Sequence, residues 1–147
     1  MTKFKFLILI FYMFSFSCSD SNLNVQIVRH SSELLTCDKI FADNLKAIEE
    51  RNEILLQTGA IDTTDEQQPI KSAIVTINKI EIALTLQNSA TTNNETIETY
   101  KGHGYDLTLT FKSTIGQYNK LVYTGNFTIK NSTAKREFAI EGKNCVL

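Results

Sequence analysis

From Leu34 onward, apolar residues recur at helical spacing: Leu34, Cys37, Phe41, Leu45, Ile48 and Leu55 fall at steps of three, four and seven. Such spacing lays one apolar stripe along an α-helix, whose side chains return to the same face about every 3.6 residues. Ser31 and Ser32 offer N-cap oxygens ahead of it, Glu33 adds negative charge to the first turn, and Gly59 supplies a stop. Lys39, Asp43, Lys46, Glu50 and Glu53 line the opposite, solvated side. The pattern predicts one long N-terminal helix with Cys37 on its buried face. Ahead of it, Val25, Ile27 and Val28 read either as a brief strand or as a lead-in to the helix.

Beyond Pro69 the period drops to two, the signature of strands with one face on a core. Ile80, Ile82, Leu84 and Leu86 alternate with Glu81 and Thr85, while Val75 and Ile77 fall out of phase, which predicts a bulge or break near Asn78. Tyr105, Leu107, Leu109 and Phe111 form a second set. Leu121, Tyr123, Phe127 and Ile129 form a third, and Phe138 and Ile140 a fourth. The connections at residues 113–120 and 131–134 are short enough for antiparallel hairpins. The expected fold is α+β: a long N-terminal helix packed on an antiparallel sheet of about four strands.

One connection, residues 87–104, is longer than the others, with residues 95–100 as a candidate extra strand. Structureless stretches beyond about 12–15 residues usually carry function or mobility. Asn93, Asn94, Tyr100 and His103 are therefore the candidate binding residues.

At the start of the chain, Lys3 and Lys5 precede an eleven-residue apolar run, Phe6 to Phe16, broken only by Ser15. A membrane-spanning helix needs roughly 18–20 such residues, so the run matches the apolar region of a secretory signal. Residues 1–17 then form a signal peptide, residues 18–24 a polar tether and residues 25–147 a single domain. Ser15-Phe16-Ser17-Cys18 resembles the lipobox of bacterial lipoproteins, and Ser19-Asp20-Ser21-Asn22 is similar to the polar start of Bacteroidota lipoproteins. The resemblance implies lipidation of Cys18 and attachment to the outer or cytoplasmic membrane through it. Ser17 and Ser19 also fit a small-x-small site for ordinary signal peptidase, whose cut would release a periplasmic or secreted chain without Cys18. Either route removes Cys18 from the pool of three cysteines. Cys37 and Cys145 are then expected to pair, because an exported chain meets an oxidising compartment.

Loss of Lys3 and Lys5 with the leader takes 15 basic residues to 13 against 16 acidic ones, a net charge of −3. No basic patch argues for nucleic acid. His103, between Gly102 and Gly104 with Asp106 nearby, tempts a catalytic reading, yet catalysis needs a positioned nucleophile and base, and a glycine-rich turn explains the same residues. His30 has no partner at zinc-ligand spacing. No catalytic residue, metal or cofactor is expected. The leading expectation is a non-enzymatic, lipid-anchored cell-envelope protein that binds a protein or glycan or serves as a structural module. The alternative is a small secreted or periplasmic inhibitor or immunity-type protein acting through the 87–104 loop. A third class is a small-molecule carrier enclosed between helix and sheet.

Overall fold

The computed structural model describes residues 23–63 and 68–145, and across the predicted long helix it runs strand, short helix, strand. In chain order the elements are β1 (Val25–Gln26), β2 (Thr36–Ala42), α1 (Leu45–Arg51), β3 (Leu56–Ile61), β4 (Ile70–Ile77), β5 (Ile80–Thr92), β6 (Glu95–Gly102), β7 (Tyr105–Ile115), β8 (Leu121–Lys130) and β9 (Lys135–Asn144). The leader, Cys18 and the start of the tether lie outside the described residues.

The α+β expectation is overturned: the fold is an eight-stranded, closed antiparallel β-barrel. Each strand from β2 to β9 pairs with the next, and β9 pairs back onto β2 through four residue pairs, Lys39↔Asn144 to Ala42↔Glu141. Closure pairs the strands all the way around and removes the sheet edges that invite association. Outside the ring, β1 lies against the end of β4, with Val25 opposite Ile77.

The helical stripe misled because Ile40, Phe41 and Ala42 form a continuous apolar run buried on both faces. A strand covered on both sides shows no alternation, so period alone cannot separate it from a helix. Phe41 points into the barrel, whereas Ile40 and Ala42 join Ala47 and Ile48 of α1 in a second cluster on the outside. Helix α1 is only seven residues long. Its N-cap is Asn44, whose side chain accepts from the Ala47 N–H at 2.9 Å, and it ends at Asn52 in the left-handed region, φ 53°. No helix among the described residues is long and apolar enough to cross a membrane.

The sheet count changes for a local reason. The break predicted near Asn78 is a full reversal, since Asn78 and Lys79 both have positive φ, 50° and 68°. A two-residue turn of that hand matches the twist of a hairpin. Asn93 and Asn94, at φ 51° and 64°, make the same turn between β5 and β6, as do His103 and Gly104, at 51° and 80°, between β6 and β7. The long 87–104 connection is therefore mostly paired strand: Asn88↔Thr99 and Thr92↔Glu95 lie in one ladder.

Alternation on β7, β8 and β9 is real. Leu107, Leu109, Phe127, Ile129 and Ile140 face the core, while Thr108, Thr110, Thr124, Thr128 and Glu137 lie at the alternate, outward positions. This apolar-in, polar-out arrangement is the inverse of the lipid-facing pattern with which barrels cross membranes. Rings meet across the interior, Phe41 at 5.8 Å from Phe111 and 6.0 Å from Tyr123, and Phe127 stacks on Phe138 at 4.8 Å. Leu23, placed by sequence in the tether, is 3 % exposed and packs with Val25 onto the same core. It does so where β4 turns into β5, at the end of the barrel away from the mouth.

Cys37 and Cys145 sit at disulfide distance, with Cα atoms 5.9 Å apart. The Cys145 N–H donates to the Asp38 carbonyl at 2.9 Å, so the pair lies on the β2–β9 seam. It lies between the first barrel strand and the end of the last, not between a helix and the sheet as the apolar pattern predicts.

Candidate functional site: the barrel mouth

The starts of β2, β4, β6 and β8 meet the ends of β3, β5, β7 and β9 at one mouth of the barrel, following the antiparallel registers. Lys39 lies two residues before Phe41 on the same inward face, and its side chain is only 18 % exposed. Its Nζ stands 5.9 Å from the centroid of Phe111 and 5.7 Å from that of Tyr123, where the ring faces attract a cation. The ladder slips between Cys37 and Lys39, which makes Asp38 the extra residue of a β-bulge, and the Asp38 carboxylate pairs with the Lys39 ammonium.

Directly across the β2–β3 ladder, the Cα partner of Lys39 is Thr58. Thr58 is 4 % exposed and its Oγ1 has no hydrogen-bond partner. A hydroxyl left buried with no partner of any kind costs about 1–3 kcal/mol, so this group has hydrogen-bonding capacity that the protein itself does not use. On β6, Glu98 and Tyr100 share one face, and the Tyr100 O–H donates to Glu98 Oε2 at 2.6 Å. On β8, the Tyr123 O–H donates to Asn144 Oδ1 at 2.6 Å.

Burial, reinforced by the charge and hydrogen bond of Glu98 and then by Asp38, holds the Tyr100 hydroxyl far above the usual tyrosine range. Burial raises Tyr123 as well, with Lys39 working in the opposite direction. Both phenols are therefore proton donors throughout the neutral range. A consequence follows for stability. Unfolded tyrosine ionises near pH 10, and folded Tyr100 resists ionisation, so the stability from its neutral form is complete below about pH 10 and lost above it. In urea titrations from pH 8 to 11, the midpoint should hold to about pH 9.5 and then fall. The fall should be shallower in Tyr100→Phe; equal slopes in the two proteins would contradict this origin.

Above the aromatic layer the mouth opens as a cavity of about 480 Å³, lined by Asp38, Lys39, Thr58, Lys71, Glu98 and Tyr100. That size lies within the range of small-molecule sites. Below it, Phe41, Leu56, Leu84, Leu109, Phe127 and Ile129 pack into one cluster. Those side chains occupy the interior below the mouth, where the third expectation above places an enclosed pocket.

Of the four residues expected to form a binding loop, only Tyr100 reaches this site. Asn93 and Asn94 are the exposed turn of the β5–β6 hairpin, and His103 lies in the β6–β7 turn at the opposite end. Among the described residues, no three His, Cys, Asp or Glu side chains gather where they could hold a metal ion. Lys39 is not legible from the sequence pattern, which places it on the solvated face of a helix. The available signal was its position two residues before a fully buried phenylalanine, which is inward only if the segment is a strand. Comparison of the chain with protein-family models, curated protein sequences and solved structures gives no match.

Proposed function

We propose that the protein is an exported, non-enzymatic binding module of the cell envelope, anchored through lipidated Cys18, and that its ligand seats in the barrel mouth. The observation that carries the reading is the Thr58 hydroxyl, which has no protein partner and stands at the strand position across from Lys39, both residues lining one open cavity. Buried polar groups are normally satisfied, and one without a protein partner in the lining of a cavity supports a ligand as that partner. The anchor fits the same geometry. Leu23 packs at the far end of the barrel, five residues after Cys18, so a lipid on Cys18 would hold that end toward the membrane and turn the mouth away from it.

The test has two arms. In the full chain, Cys18→Ala should shift the protein from the membrane to the soluble fraction, and unchanged fractionation overturns the anchor. For the mouth, the immobilised mature domain is exposed to a small-molecule extract of the envelope, washed, and its retained compounds identified by mass spectrometry. Ala60 of β3 also lines the cavity, and Ala60→Trp, which places an indole there, serves as the blocked control once circular dichroism shows it folded. A compound enriched on the native domain and lost on the blocked one is the expected result. Equal retention on both overturns the mouth as the binding site.

A further inference from the structure

The lining of the mouth divides into two unlike arcs. Strands β2, β3 and β4 present Lys39, Thr58 and Lys71, all able to donate, with the Asp38 carboxylate of β2 already paired to Lys39, whereas β6 presents the Glu98 carboxylate. Lys39 and Thr58 are direct cross-strand partners on the inward face, a relation that starts two side chains within about 5.5 Å of each other. The ammonium has three donors, of which Asp38 takes one, and the Thr58 hydroxyl is free. Two adjacent donors of this kind suit a carboxylate, which accepts through two oxygens and is held more strongly when the donor is charged.

Glu98 has the opposite need. Its Oε2 accepts from Tyr100 and its Oε1 receives only a long contact, 3.5 Å, from Ser89 Oγ. A carboxylate has about four lone-pair sites, so acceptor capacity remains for a donor coming from the cavity. The charges around the lining balance, Asp38 and Glu98 against Lys39 and Lys71, which favours a ligand of zero net charge with its charges separated. We infer that the mouth takes a small zwitterion of the amino-acid or dipeptide kind, its carboxylate on Lys39 and Thr58 and its ammonium on Glu98. The inference rests on the reading of the mouth as a binding site. A simple carboxylate would leave Glu98 unanswered, a simple amine would leave the Lys39 ammonium unanswered, and a neutral sugar would bring no charge to either arc.

The experiment titrates the ¹⁵N-labelled mature domain with L-glutamine, glycylglycine, acetate, ethylamine and D-glucose, following amide shifts. The zwitterions should move the resonances of Lys39, Thr58 and Glu98 and bind at least tenfold more tightly than the other three probes. Thr58→Val keeps the shape and removes the hydroxyl. It should weaken glycylglycine or glutamine binding about tenfold or more while unfolding at the same or a higher temperature, because the unpaired group is gone. Equal binding of acetate or glucose overturns the zwitterion, as does unaltered affinity in Thr58→Val. If all five probes fail while the envelope-extract capture remains sensitive to Ala60→Trp, the ligand class is wrong and the mouth site stands. If the capture also fails, both readings fall.

Discussion

Replacing Cys37 and Cys145 together with serine is expected to lower the unfolding free energy by about 4–5 kcal/mol, the chain-entropy value for a loop of roughly 100 residues. The two residues are 108 positions apart, and their Cα separation of 5.9 Å lies within the usual disulfide range. Their place in the fold makes the effect large. The barrel closes only where β9 meets β2, and that seam holds four residue pairs against nine between β8 and β9. Every other ring pairing joins neighbours along the chain, whereas this one must bring the two ends of the meander together and meets the full loss of chain entropy. A loss of this size is comparable to the whole stability of a small domain. Urea unfolding with and without reductant measures it, and coincident midpoints would sink the claim. Two alkylatable thiols in the unreduced mature protein would remove the bond itself.

Phe41→Ala should cost about 3–5 kcal/mol, the range for emptying a buried aromatic site. Phe41 is 0 % exposed, and its ring meets Phe111 and Tyr123 in the interior. Its Cα partner across the seam is Gly142, where a Cβ would run into the Phe41 ring and the Ile40 carbonyl. The glycine leaves the space that the ring fills, so a smaller residue at position 41 opens a void at the closing seam. The rings that Phe41 supports also form the floor beneath Lys39, which ties this packing to the mouth. Chemical denaturation of the variant decides the matter, and a loss below about 1 kcal/mol would show that the seam collapses around the void.

Both effects concern strands that the sequence pattern disguised. On β7, β8 and β9 one face meets water, so Leu107, Leu109, Phe127 and Ile129 stand out by alternation and were legible as core positions. On β2 and the start of β3, α1 and the N-terminal segment cover the outer face, and Ile40, Phe41, Ala42, Leu55 and Leu56 are buried without alternation. The helical stripe arises because Cys37, Phe41 and Leu45 are four apart, a step that satisfies both periods. The hairpin turns were half legible. Asn93 and Asn94 stand out in the sequence as polar loop residues, yet the positive φ at both positions that makes them a two-residue turn needs the paired strands beside them.

The sequence by itself determined the inward residues of the last three strands, and it singled out Cys37 and Cys145 as partners by elimination. Local alternation and residue chemistry carry that much. Tertiary structure alone decided the closed barrel and its mouth. Lys39, Thr58 and Glu98 come from β2, β3 and β6, and only the bulge at Asp38, the strand registers and the β2–β9 seam bring them around one cavity. Strand pairing over such separations depends on which faces the rest of the chain has already covered, and no local window of residues holds that information.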